Sequence, residues 1–118
     1  MNDIAALPRL DEVVIAELKE IMEEDFAMLL ETWLQDAVDR VSAIDGSFAD
    51  KNAEALREAS HSFKGSCSNI GAARLSQLSA VVEQKARDGQ IDGIEDLLQD
   101  LKSEYQAVKV LVEAEVSA

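Results

Sequence analysis

From Phe26 to Phe48 the apolar residues Phe26, Leu29, Leu30, Trp33, Leu34, Ala37, Val38, Val41, Ile44 and Phe48 recur mostly three and four apart, over about six turns. A stripe of that period and length closes only as an amphipathic α-helix. Gly46 interrupts it, but Phe48 carries it on, so the helix is taken to about residue 48. The rest of the chain repeats the pattern in shorter pieces. Val14, Leu18, Ile21 and Met22 mark a short helix over about 11–22, and the long helix then occupies about 23–48. Asp50 is read as the N-cap of a third helix over about 51–69, and Gly71 as the break after it. Leu75, Leu78, Val82 and Ala86 predict a fourth over about 73–88; Ile94, Leu97, Leu98, Leu101, Tyr105, Val108, Leu111 and Val112 predict a fifth over about 91–115.

Proline occurs once, at Pro8, and no segment alternates as a half-buried strand would. Long amphipathic helices with short connections pack against their sequence neighbours. The expected fold is therefore all-α: an antiparallel up-down four-helix bundle with an additional short N-terminal helix, in one domain over residues 1–118. Such a core closes within one chain, so a monomer is expected. No apolar run approaches the ~20 residues of a membrane span, and the N-terminus lacks the basic-then-apolar layout of a signal peptide. The expected location is the cytoplasm, away from membranes.

A net charge of −13 disfavours nucleic acid and anionic lipid as partners. The charge is uneven: residues 1–50 hold 13 acidic and 3 basic side chains, residues 51–90 hold 4 and 6, and residues 91–118 hold 7 and 2. Only the middle segment is net positive, and it contains the one histidine, His61, and the one cysteine, Cys67. One of each cannot supply the four ligands of a structural zinc site.

Helical phase shows where the histidine points. With Leu56 at the origin and about 100° per residue, Ser60, Phe63, Cys67 and Ile70 cluster around the apolar direction, whereas His61 falls about 150° away from it. His61 is expected on the solvent face, with Arg57, Lys64, Gly65 and Ser68 around it. Cys67, about 120° from His61, is a core residue and no partner for a Cys-His nucleophilic pair. Gly65 costs a helix interior about 1 kcal/mol relative to alanine. It lies one turn from His61, so its missing side chain leaves room for a large group to approach the ring. Lys64 can bring its ammonium to a negative charge carried there. An imidazole with an unperturbed pKa of ~6.5, flanked by a gap and a cation, suits a phosphoryl acceptor. There is no Walker loop, no dinucleotide fingerprint and no hydrolase triad to be read.

The stretch HSFKGSCSNIGAARL, residues 61–75, resembles the signature of histidine-containing phosphotransfer (HPt) domains, with His61, Lys64, Gly65, Ser66, Gly71 and Leu75 at the matching positions. Chain length and the predicted bundle are similar to the family's throughout, of the free-standing bacterial kind. The resemblance implies a carrier without autokinase activity: His61 would accept a phosphoryl group from the receiver domain of a hybrid sensor histidine kinase and pass it to the receiver of a response regulator. It implies charge stabilisation by Lys64, access through Gly65, and Mg²⁺ supplied by the partner receiver, with no cofactor on this chain. The family's polar residue on the next helix corresponds to Glu83 or Gln84. Cys67 departs from a frequent serine. Arg57, Ser68 and Arg74 are candidates for a receiver-docking surface, with Arg57, Lys64 and Arg74 steering acidic partners. The alternative is a helical module that docks receivers without transferring phosphate.

Overall fold

A computed structural model describes residues 3–118. Met1 and Asn2, the start of the N-terminal stretch read above, lie outside the described residues. After a single 3₁₀ turn at Ile4–Ala6, five α-helices follow: α1 (Glu12–Met22), α2 (Phe26–Ala49), α3 (Ala53–Asn69), α4 (Ala73–Arg87) and α5 (Glu95–Ser117). Helices α2 to α5 form the expected up-down bundle. Each packs against its sequence neighbour, and α2 closes the ring against α5. No described helix is long and apolar enough to cross a membrane.

The apolar stripes meet where their period places them. Leu30, Trp33, Ala37, Val41 and Ile44 of α2 face Leu56, Phe63 and Cys67 of α3, Leu75, Val82 and Ala86 of α4, and Leu98, Leu101, Tyr105, Val108 and Val112 of α5. At mid-core, Trp33 stacks on Phe63, and Tyr105 meets both, with all three ring centroids 6.4–6.5 Å apart. These rings hold the rotation of α3, because Phe63 is fully buried. Whatever lies two residues before it points out of the bundle.

Three helix boundaries differ from the sequence reading, each for a local reason. Asp50 does not cap α3: it ends α2 in helical geometry, Lys51 turns the chain at φ +55°, and Asn52 in extended conformation is the cap. The Asn52 side chain accepts a hydrogen bond from the Ala55 amide at 3.0 Å, so α3 starts at Ala53. A 3₁₀ turn at Glu23–Asp25, entered with Glu23 at φ +51°, delays α2 to Phe26. Ile91 and Ile94 are buried as plugs between α4 and α5, with Gly93 at φ +83° between them, so α5 starts at Glu95. Gly46 sits inside α2 without ending it.

The N-terminal segment is tied across the α3–α4 end of the bundle. The Asp11 amide donates to the Gly71 carbonyl at 2.8 Å, the Arg74 amide donates to the Pro8 carbonyl, and Arg9 pairs with the buried Glu104 at 3.2 Å. Gly71 has φ +81°, and a Cβ there would stand 2.9 Å from Cβ of Val14 on α1. Gly71→Ala therefore combines left-handed strain with a steric clash and is expected to destabilise the protein by about 2–4 kcal/mol. Gly46→Ala meets nothing within 4 Å and is expected to stabilise by about 1 kcal/mol. Urea midpoints of the two variants, shifting in opposite directions, check both.

Candidate functional site

His61 lies on the solvent side of α3 with 63% of its side chain exposed, opposite the core face that Phe63 and Cys67 define. The ring is nonetheless held. Its Nδ1 is 2.9 Å from Oε2 of Glu83 on α4, and Glu83 is almost wholly buried. Lys64, one turn further along α3, donates to Oε1 of the same carboxylate at 2.7 Å. Arg87, one turn further along α4, donates to Oε2 at 2.9 Å. One buried carboxylate thus gathers the imidazole and two cations.

The α3–α4 seam brings these groups together. Ser60 and Ser79 are fully buried small residues, each returning its hydroxyl to the carbonyl four residues earlier in its own helix, which leaves little bulk between the two helices. The Ser76 hydroxyl reaches across to the Lys64 carbonyl and also bonds that of Ser68. This register settles the open choice on α4: Glu83 meets the histidine, whereas Gln84 bonds Asp88 on its own helix.

The electrostatics assign the protons. Burial pushes the Glu83 carboxyl up, but hydrogen bonds and charge from Lys64 and His61 outweigh it and hold the group below the ordinary carboxylate range. An ionised carboxylate only accepts hydrogen bonds, so Nδ1 of His61 is the donor. In the neutral ring the unprotonated nitrogen is then Nε2, on the edge turned away from Glu83.

On its other side the ring borders an open groove of about 460 Å³ between α2 and α3, lined among others by Leu29, Trp33, Asp36, Arg40 and Gly65. A Cβ added at Gly65 would meet nothing within 4 Å. Arg40 crosses the groove wall to hydrogen-bond the Ser62 hydroxyl. The ring therefore has a fixed edge toward α4 and open space along α3.

The other residues singled out in the sequence are dispersed. Arg57, one turn before His61, is engaged by Glu54 at 2.6 Å and approached by Glu58 at 3.9 Å. Ser68 sits in the seam with Ser76, nearly two turns away. Arg74 does not belong to a surface around His61. It lies nine residues from Glu83, about 180° around α4, where its guanidinium hydrogen-bonds the Leu7 carbonyl and it borders Ile4, Arg9 and Glu104. Cys67 is fully buried, and burial raises its thiol pKa far above the ordinary value, so it packs and does not react. Arg87, the third member of the cluster, is not among the residues the sequence reading singles out. The signal for its place there is its i,i+4 spacing from Glu83, which gains meaning only once Glu83 is known to face His61.

The Hpt domain family matches residues 28–110. Among solved structures, the chain is similar to histidine-containing phosphotransfer protein B (HptB) from Pseudomonas aeruginosa PAO1, at 34% identity and a TM-score of 0.90. That match covers 93% of this chain and 96% of the other. No curated protein sequence matches.

Proposed function

The chain belongs to the Hpt domain family, and from that premise we propose that it carries phosphoryl groups in a multistep phosphorelay, with His61 as the acceptor. It takes the group from the receiver-domain aspartyl phosphate of a hybrid sensor kinase and delivers it to the aspartate of a response regulator. The observation that carries this reading is the exposed imidazole whose Nδ1–H is anchored on a buried, ionised Glu83, leaving Nε2 as the nucleophilic nitrogen.

The transfer step balances without any proton leaving the ring. The Nε2 lone pair forms the N–P bond while the P–O bond of the acyl phosphate breaks, and that electron pair leaves with the donor aspartate as carboxylate. Delivery reverses the sequence, with the N–P pair returning to Nε2. Phosphoryl transfer of this kind needs in-line positioning and charge stabilisation more than covalent assistance. Lys64 is within reach to exchange Glu83 for the phosphoryl oxygens, and the open groove beside Gly65 admits the donor domain. In this reading Mg²⁺ comes with the receiver, and the chain contributes no autokinase chemistry.

The test is incubation of the purified protein with a phosphorylated receiver domain and Mg²⁺. Label that is lost in acid and retained in alkali is the expected result. Failure to label from any of a panel of receivers would replace the carrier reading with that of a docking module.

A further inference from the structure

Glu83 has more positive partners than one carboxylate needs. Lys64 and Arg87 both reach it, and Arg87 shares Oε2 with the Nδ1–H of His61, each at 2.9 Å. With a neutral imidazole the cluster carries one net positive charge. A neutral Gln at this position would also accept a hydrogen bond from Nδ1–H and orient the ring. Burying a charged group where a neutral one would orient equally well costs desolvation, so the charge has a consequence that orientation alone does not account for.

That consequence lies in the leaving group. When the N–P bond of a phosphorylated imidazole breaks, the electron pair returns to Nε2. If Nδ1 still carries its proton, the departing ring is a neutral imidazole; if it does not, the departing ring is an imidazolate, a far poorer leaving group. Building on the carrier reading, we propose that Glu83 is a positioning residue that holds the proton on Nδ1 throughout, and so sets how readily phosphorylated His61 releases its phosphoryl group, with Arg87 moderating that hold by sharing Oε2. Lys64 is the mobile member: as its ammonium turns to the phosphoryl oxygens, Arg87 remains as the counter-charge of the buried carboxylate. The other charged groups that face the ring are Arg57 on α3, paired with Glu54, and Asp36 and Arg40 across the groove on α2. Nδ1 makes its hydrogen bond to Glu83 and to none of these three.

The test uses potassium phosphoramidate to load His61 chemically in the full-length protein, followed by ³¹P NMR of the decay from mild acid to mild alkali. Below the midpoint the ring keeps its proton and is labile; above it the ring loses the proton and persists. Removing the carboxylate charge in Glu83→Gln is expected to lower this midpoint by about one pH unit, the usual scale for an opposite charge in contact. Above both midpoints that shift lengthens the half-life about tenfold. Arg87→Gln, at an exposed site, is expected to shift the midpoint the other way by a smaller amount. The Glu83→Gln shift should persist in a Lys64→Met background; its disappearance there would assign the effect to a freed ammonium and overturn the inference. An unmoved midpoint in Glu83→Gln, or movement of both variants in the same direction, would also overturn it. Loading needs no receiver, so a shifted profile supports the inference even where receiver labelling fails, and an unshifted one defeats it even where labelling succeeds.

Discussion

His61→Gln is expected to take up no detectable label from a phosphorylated receiver while unfolding at the wild-type urea midpoint. The two halves of this result have separate causes. The side chain is mostly exposed, and its one hydrogen bond, to Glu83, can be remade by the Gln amide N–H. Gln also has a helix propensity at least as good as that of His. Surface changes of this kind stay within about 0.5 kcal/mol. Chemically, the amide has no lone pair able to attack phosphorus, so the loss is of the nucleophile and not of a contributor to rate. No neighbour can substitute: the Cys67 thiol is buried and held protonated. The Ser62 hydroxyl is engaged by Arg40. Label surviving in this variant would place the acceptor elsewhere and remove the basis of the whole site.

What could be read in the sequence and what could not divides along a physical line. The rotation of α3 was legible, because Leu56, Phe63 and Cys67 are each fully buried and a helix of known period then sends His61 outward. The register between α3 and α4 was not. It depends on the geometry of the turn at Gly71 and on the small buried Ser60 and Ser79, which neither helix's own periodicity contains. Hence Glu83 and Gln84 stood level in the sequence, and Arg87 passed unnoticed. Arg74 shows the converse: it lies within the histidine motif in sequence, but on α4 it faces the N-terminal segment.

The net-positive middle segment is in good part paired in the folded chain. Lys51 pairs with Asp92, Arg57 with Glu54, and Lys64 and Arg87 with Glu83. Counting charges along the chain overstates the field a partner meets, since four of the segment's six cations are paired with carboxylates from within the segment or beside it. In the carrier reading, the positive charge nearest His61 that an acidic receiver would meet is the one left over in the Glu83 cluster.

Gly65→Gln is expected to separate stability from function in the opposite sense to Gly71→Ala: the fold gains while transfer falls. Gly65 has no left-handed backbone to preserve, and its Cβ position is empty out to 4 Å. Replacing it by a better helix former is expected to stabilise the protein by about 0.5–1 kcal/mol. A helical side chain leans toward the helix N-terminus, over the residue four positions earlier, and here that residue is His61. The added amide therefore occupies the space along α3 through which, in the carrier reading, a donor domain reaches Nε2. Displacing the reacting atoms by about 1 Å is enough to cost transfer about a hundredfold, so a drop of about ten- to a hundredfold in the receiver-to-histidine rate is expected, with Gly65→Ala between this variant and wild type. Rapid-quench transfer assays read the rate, and urea midpoints read the stability. Loading with phosphoramidate supplies the control, because a donor that small needs far less of the cleared space and should be slowed much less than a receiver. A receiver rate equal to wild type in Gly65→Gln would mean that the partner approaches from the α4 side, over Glu83 and Arg87, and that the groove between α2 and α3 is not its path.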